Sequence, residues 1–257
     1  MSAQAANKTS RRHPLQRYDS PSKGFSGALH VAGLISFYHS FKFLADNPNQ
    51  FNDSFGWHLQ FLTILGITIC TVGFTLALLA DMTNSTSLFT IKNYISLVAA
   101  PIEIVISILY WSLRLIDTSL VVPPHLPLPP AIYDLTFHFF PAVLTTLDTL
   151  LLSPPWPSSP MNPQAPLITL VLSTAVAFLY WFWIEICYAR NGFYPYPIFE
   201  MLTTYQRVGL FALSGSIMWV VGGALRAAYA WCNGYEEVEE FQKVKRAVKM
   251  GREGKWE

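Results

Sequence analysis

AIYDLTFHFFPAVLTTLDTLLL, residues 131–152, is the stretch whose reading decides the fold. As a helix rising about 1.5 Å per residue, it is long enough to cross the roughly 30 Å hydrocarbon core of a bilayer. Yet it carries His138 a few residues inside one end and Asp148 near the other. Ionisable groups are costly in hydrocarbon, so one inside a span marks a functional site by default. The plainer reading is a neutral imidazole packed between helices, donating one hydrogen bond to a carbonyl. The rest of the chain has to decide between the two.

Composition places the stretch in its context. The chain has 257 residues, of which 52% are hydrophobic and 13% charged, with 8 Trp, 12 Tyr and 18 Phe. Soluble domains carry about a quarter charged residues. Here apolar and aromatic residues replace the missing charge, which implies an all-α, polytopic integral membrane protein. The net charge of +1 says little about partners, because most charges sit at the two ends. No basic patch is interleaved with aromatics, so nucleic-acid binding has no support. Cys70, Cys187 and Cys232 lie in or beside apolar segments without a CxxC pair, which suggests neither a disulfide framework nor a zinc site. No cofactor is expected.

Hydropathy divides the chain into three regions. Residues 1–26, with Lys8, Arg11, Arg12, Arg17 and Lys23, read as a disordered basic arm, and their polarity argues against a cleavable signal peptide. Residues 27–233 hold a bundle of six transmembrane helices, with spans at 27–45, 57–80, 91–113, 131–152, 167–189 and 205–231. Residues 234–257 form a charged tail, in which Val238, Phe241, Val244 and Val248 recur at the spacing of an amphipathic helix. The first span is the least apolar, carrying His30, His39 and Lys42. Pro101 predicts a kink in the third. Pro-rich connectors occupy residues 114–130 and 153–166, and an aromatic, proline-rich loop, RNGFYPYPIFEMLTT, fills 190–204. Lysines and arginines collect on the side that holds both ends, so both termini are expected to be cytosolic. The endoplasmic reticulum and the plasma membrane fit this equally.

Depth then sorts the polar residues. His138 lies seven residues from the start of its span, roughly 10 Å down, and Thr63 six residues from Trp57, roughly 9 Å down. A hydroxyl and an imidazole at matched depth on different helices suit a nucleophile and its general base. The alternative for Thr63 is the usual bond to the carbonyl four residues earlier in a helix. Glu185 and Glu200 fall near the same membrane surface, where either can orient His138. Asp148 lies roughly 15 Å further down and is a poor third member. Glu103 sits near mid-membrane and is expected to be neutral or bonded to a neighbouring helix.

Four motifs resemble one family: WHLQFLT at 57–63, PIEIVISILYW at 101–111, HFFPAVLTTLD at 138–148 and GFYPYPIFE at 192–200. Their order and approximate spacing are similar to the androgen-induced gene and androgen-dependent TFPI-regulating protein family over residues 27–231. The long Pro-rich connectors look like those of fungal members. The resemblance implies a six-span membrane hydrolase that cleaves fatty acid esters of hydroxy fatty acids with an intramembrane threonine and histidine. By motif these are Thr63 and His138, the two residues that depth pairs. One departure is notable: two residues between Trp57 and the Phe61-Leu62-Thr63 triplet are absent from the shorter animal version, which bears on where the helix starts.

On this reading the partners are a lipid ester substrate and membrane lipids. The oxyanion donors come from Tyr194, Tyr196, Asn191 or backbone amides near Pro195 and Pro197. Two rivals stay open. A haem-binding redox protein would need histidine pairs towards both faces, whereas His39, His58 and His138 lie on one side and only His30 near the other. A non-catalytic scaffold or transporter remains, although the two halves show no internal repeat.

Overall fold

The computed structural model describes residues 24–123, 126–153 and 164–233. The tail at 234–257 and all but the last three residues of the arm at 1–26 lie outside the described residues. Among the described residues all regular structure is helical. The elements are α1 (Phe25–Asp46), α2 (Leu62–Thr83), α3 (Thr86–Ile116), α4 (Ala131–His138), α5 (Phe140–Leu147), α6 (Ala165–Asn191), the short α7 (Pro197–Met201) and α8 (Thr204–Asn233). A π turn, Asp148–Leu152, extends α5.

Among the described residues four helices are long and apolar enough to cross a membrane: α2, α3, α6 and α8. The pair formed by α4 and the α5 segment makes a fifth if it is counted as one span, although the two are bent 41° apart. α1 has the length, 22 residues, but its histidines, serines and Lys42 keep it below that apolarity. Large apolar side chains such as Leu167, Leu179 and Leu213 point outward, as lipid-facing positions do.

Two boundaries differ from the expectation, and both matter for the site. The span at 131–152 is broken, not continuous. Phe139 takes φ −128° and ψ −55° between α4 and α5. Pro141, at the start of α5, supplies no N–H and its ring would strike the Phe137 carbonyl of a straight helix. By contrast α3 runs unbroken through Pro101. The second boundary is the start of α2. The backbone takes left-handed angles at Gly56 (φ 87°) and Trp57 (φ 49°) and makes a single 3-10 turn over Trp57–Gln60. Phe61 is extended, and α2 begins at Leu62. Gly56 is required there for space as well as angle, since a Cβ would meet the Cys187 sulfur and the Gln60 side chain.

α2 and α3 form the centre. α1, α4 and α5 pack on one side of them, and α8 with α6 behind it on the other. The α2–α3 corner is tight: Asn84 takes the left-handed conformation after α2 and Ser85 caps α3 by accepting from the Leu88 amide at 3.3 Å. Gly215 lets α8 approach α6 closely, as a Cβ there would sit 3.2 Å from the Ala177 methyl. The mid-bundle Glu103 accepts from the Cys70 thiol of α2 at 3.4 Å.

The end of the bundle away from His138 is held by buried charge. Lys92 of α3 donates to Asp148 of the π turn at 2.6 Å, and Asp148 faces His30 of α1 at 3.0 Å. His30 in turn meets Asp81 of α2 at 3.1 Å, and Ser26 donates to the same carboxylate at 2.7 Å. Lys92 and Asp148 are each 1% exposed. Asp148 is thus committed to a network of its own. Removing one partner of a buried pair leaves the other charge unpaired, at a cost of about 3–5 kcal/mol. Lys92→Met is therefore expected to lower the thermal unfolding midpoint in detergent clearly, and an unchanged midpoint would show that the network does not hold these helices together.

Candidate active site where α2 begins

Because α2 starts at Leu62, Thr63 is its second residue and not one buried six residues down a helix. The change of start has a chemical consequence. Thr68 and Thr71, one turn and two turns later, donate to the carbonyls four residues before them at 2.6 and 2.7 Å. For Thr63 that carbonyl is Leu59, which lies in the 3-10 turn and already accepts from the Trp183 indole at 2.9 Å. The Thr63 hydroxyl is turned instead to the Tyr196 phenol.

The start of α2 also leaves amides without helical partners. Phe61 provides no side-chain cap. Two phenols stand in this place. Tyr180 of α6 accepts from the Leu62 amide at 3.1 Å and donates to the Gln60 carbonyl at 2.8 Å. The Tyr196 phenol, from the loop before α7, lies against the Thr63 hydroxyl, the Thr63 and Leu62 backbone and Tyr180. Burial pushes the Tyr196 phenol up, so it keeps its proton and remains a donor at neutral pH.

His138 closes α4. Its ring stacks flat on Tyr110 of α3, with centroids 3.4 Å apart and planes within 3°. Its Nδ1 lies 3.0 Å from an Asp134 oxygen, one turn earlier on the same helix. Asp134 is 1% exposed and fully engaged: the same oxygen accepts from the Tyr110 phenol at 2.6 Å, and the other pairs with Arg114. A carboxylate at Nδ1 fixes the proton there and leaves Nε2 as the basic nitrogen. The cluster has the arrangement of an oriented general base.

Thr63 and His138 line one cavity of about 720 Å³, enclosed by α1, α4, the start of α2 and the Pro-rich connector around Pro130. Tyr110 and Tyr196 line it too. On its other side Thr63 borders a second, narrower space of about 140 Å³ between α3, α6 and α8. That slot is walled by Ile102, Ile106, Val176, Phe211 and Met218 among other apolar side chains. Thr63, Tyr110, Val121 and Tyr196 separate the two spaces.

The structure brings Thr63, His138 and Tyr196 together and leaves the other sequence-derived candidates elsewhere. Glu185 does not orient His138: it accepts from Tyr194 at 2.9 Å, from Arg207 at 3.0 Å and from Trp181 at 3.2 Å. Glu200 does not either; it is exposed, and its oxygen faces the Tyr194 amide at 3.4 Å. Both are displaced for the same reason. They stand on the α6–α8 side, with α2 and α3 between them and α4. Tyr194, whose phenol burial and Glu185 push up to about 12, is tied to that carboxylate and is no oxyanion donor. Asn191 spends its amide on the Phe55 backbone at 2.8 and 3.0 Å and on Gln60 at 3.1 Å. The residues that sequence reasoning passes over are Asp134, Tyr110, Arg114 and Tyr180. Asp134 alone had a signal, its four-residue spacing from His138.

Comparison with known proteins agrees with this architecture at the level of the family. A fission-yeast protein (Schizosaccharomyces pombe) described as a UPF0641 membrane protein is 32% identical over 191 residues, covering 74% of this chain and 83% of its own. No solved structure matches. The family model described as FAR-17a/AIG1-like protein matches residues 25–229, from the first residue of α1 into the last turns of α8, and the chain belongs to that family.

Proposed function

We propose that the protein is an intramembrane lipid-ester hydrolase with Thr63 as nucleophile and His138 as general base. The observation that supports this reading most directly is that Thr63, freed of the back-bond of a helix interior, shares one cavity with a histidine whose Nδ1 is held by a buried carboxylate. The Thr63 oxygen attacks the ester carbonyl carbon while its proton passes to His138 Nε2. The carbonyl oxygen becomes an oxyanion, stabilised by the Tyr196 phenol. As it collapses, the bond to the alcohol oxygen breaks and His138 returns the proton to that oxygen. Water, deprotonated by His138, then cleaves the acyl-threonine and frees the acid.

The resemblance to members that cleave fatty acid esters of hydroxy fatty acids makes that substrate class the first choice. In the membrane the chain is read as six spans with both termini cytosolic, α1 being the least apolar span and α4–α5 a bent one. The endoplasmic reticulum and the plasma membrane suit it equally. The test is hydrolysis by the purified protein in nanodiscs, across branched hydroxy fatty acid esters, monoacylglycerols and cholesteryl esters. The branched esters are expected to be cleaved fastest. A protein that folds and cleaves none of the panel would sink the hydrolase reading and favour a scaffold.

A further inference from the structure

The two spaces that meet at Thr63 are not equivalent, and their difference fixes which half of an ester goes where. Both border Thr63 and Tyr196, the attacking oxygen and the nearest phenol donor. His138, however, lines only the wide cavity. In ester cleavage the base that takes the nucleophile's proton must hand it to the departing alcohol oxygen. The alcohol therefore has to leave on the side where His138 stands, which is the wide cavity. The acyl chain is left with the narrow slot.

The lining agrees with this division. The wide cavity carries amide and charged groups at its rim, Asp46, Asn47 and Asn49, and so tolerates a polar or branched alcohol. The slot is apolar along its length. Its upper end lies at Phe211, which packs on Tyr180 close to the start of α2. Its lower end lies at Met218, which belongs to the same packed cluster as Ile102. These two α8 residues are seven apart, or about 10 Å along the helix. Ser214 stands between them on the slot wall, and its hydroxyl is turned back to the Leu210 carbonyl at 2.8 Å, so it offers the slot no free donor. At about 140 Å³ the slot is close to the size of an apolar cavity that takes a benzene-sized guest, about 150 Å³, so it holds about five or six acyl carbons.

We propose that this α3–α6–α8 slot is the acyl-chain subsite, that the wide cavity receives the alcohol, and that Ser214 and Met218 set the acyl length the enzyme accepts. The inference rests on the hydrolase reading and adds selectivity for one half of the ester. Two expectations follow from it. Ser214→Phe fills the slot midway, and Met218→Ala deepens it.

The experiment compares methyl hexanoate with hexyl acetate, two esters that carry the longer chain on opposite sides of the same bond. It adds the para-nitrophenyl esters of butyrate, octanoate and palmitate. Purified wild type and both variants are assayed in nanodiscs, with Thr63→Ala as the blank. Ser214→Phe is expected to lower kcat/KM for methyl hexanoate by about tenfold or more while leaving hexyl acetate and the butyrate ester near wild type. Met218→Ala is expected to shift the chain-length profile towards palmitate. Retained butyrate hydrolysis shows that each variant is folded, and Met218→Ala carries the test if Ser214→Phe does not fold. If Thr63-dependent hydrolysis persists but neither variant changes the profile, the proposal is wrong and the hydrolase reading stands. If Ser214→Phe penalises hexyl acetate instead, the two halves are assigned the wrong way round. If wild type cleaves none of these esters, or Thr63→Ala cleaves them as well, the hydrolase reading fails and this proposal falls with it.

Discussion

Thr63→Ala and His138→Ala are each expected to lower kcat for lipid-ester hydrolysis by between about 10³- and 10⁶-fold. The magnitude comes from the nature of the step. A nucleophile and its base act as one unit, so losing either removes nearly the whole covalent route and leaves only binding and oxyanion stabilisation. For the same reason the double variant should be little worse than either single one. Thr63→Ser keeps the oxygen and is expected to retain much of the activity. Neither alanine should unfold the protein. Thr63 lies at a helix start between two cavities, and its removal leaves no charge unpaired. His138 has its stacking partner Tyr110 held independently by Asp134. Rates measured on purified variants with matched thermal midpoints decide the matter. Full activity in either folded alanine variant would show that the pair is not the catalytic one.

The second large effect is expected at Asp134, a positioning residue. Asp134→Asn keeps the size of the side chain but can present an N–H to His138 Nδ1, which favours the tautomer with its proton on the wrong nitrogen. In a comparable arrangement that exchange costs about 10⁴-fold in kcat. A fall of about 10²- to 10⁴-fold is expected here, carried by kcat with KM little changed, since Asp134 does not line either space. A merely structural role would behave differently. It would lower stability and active fraction without the kcat and KM split, and Asp134→Glu would not help. The orienting role predicts partial rescue by Glu. Arg114 also loses its ion pair in the Asn variant, but its side chain is 26% exposed, so water replaces part of the lost contact.

How much of this was readable from the residues alone depends on the length scale. Runs of apolar residues with polar punctuation mark out the helices, because a backbone in hydrocarbon must satisfy its own hydrogen bonds and does so as a helix. Helix ends are less legible. Trp57 looks like an interfacial anchor at the start of a span, yet the left-handed angles at Gly56 and Trp57 delay the helix to Leu62. The depth argument pairs Thr63 with His138, which lines the same cavity, but does so from a wrong helix start. What makes Thr63 distinctive is its place in the first turn, which depth does not measure. Pro141 was a visible break signal that a span-length reading of residues 131–152 overrides, whereas Pro101 is accommodated inside α3.

The partners of His138 show the same limit. Glu185 and Glu200 share a membrane level with it, but level says nothing about which side of a bundle a residue faces. That depends on how α2 and α3 separate α4 from α6, a long-range packing fact with no local signature. Asp134 is local, one helical turn away, and its spacing was the available clue. The ion network of His30, Asp81, Lys92 and Asp148 joins four elements far apart in sequence. Only packing brings it together.

The most direct measurement of the central claim is the site of covalent attachment. The purified protein is treated in nanodiscs with a long-chain fluorophosphonate, digested, and its peptides sequenced by mass spectrometry. The probe's phosphorus should be found on the Thr63 oxygen in wild type, with labelling lost in Thr63→Ala and much slowed in His138→Ala. A label on any other residue, or one that persists unchanged in Thr63→Ala, would contradict the assignment of Thr63 as the nucleophile.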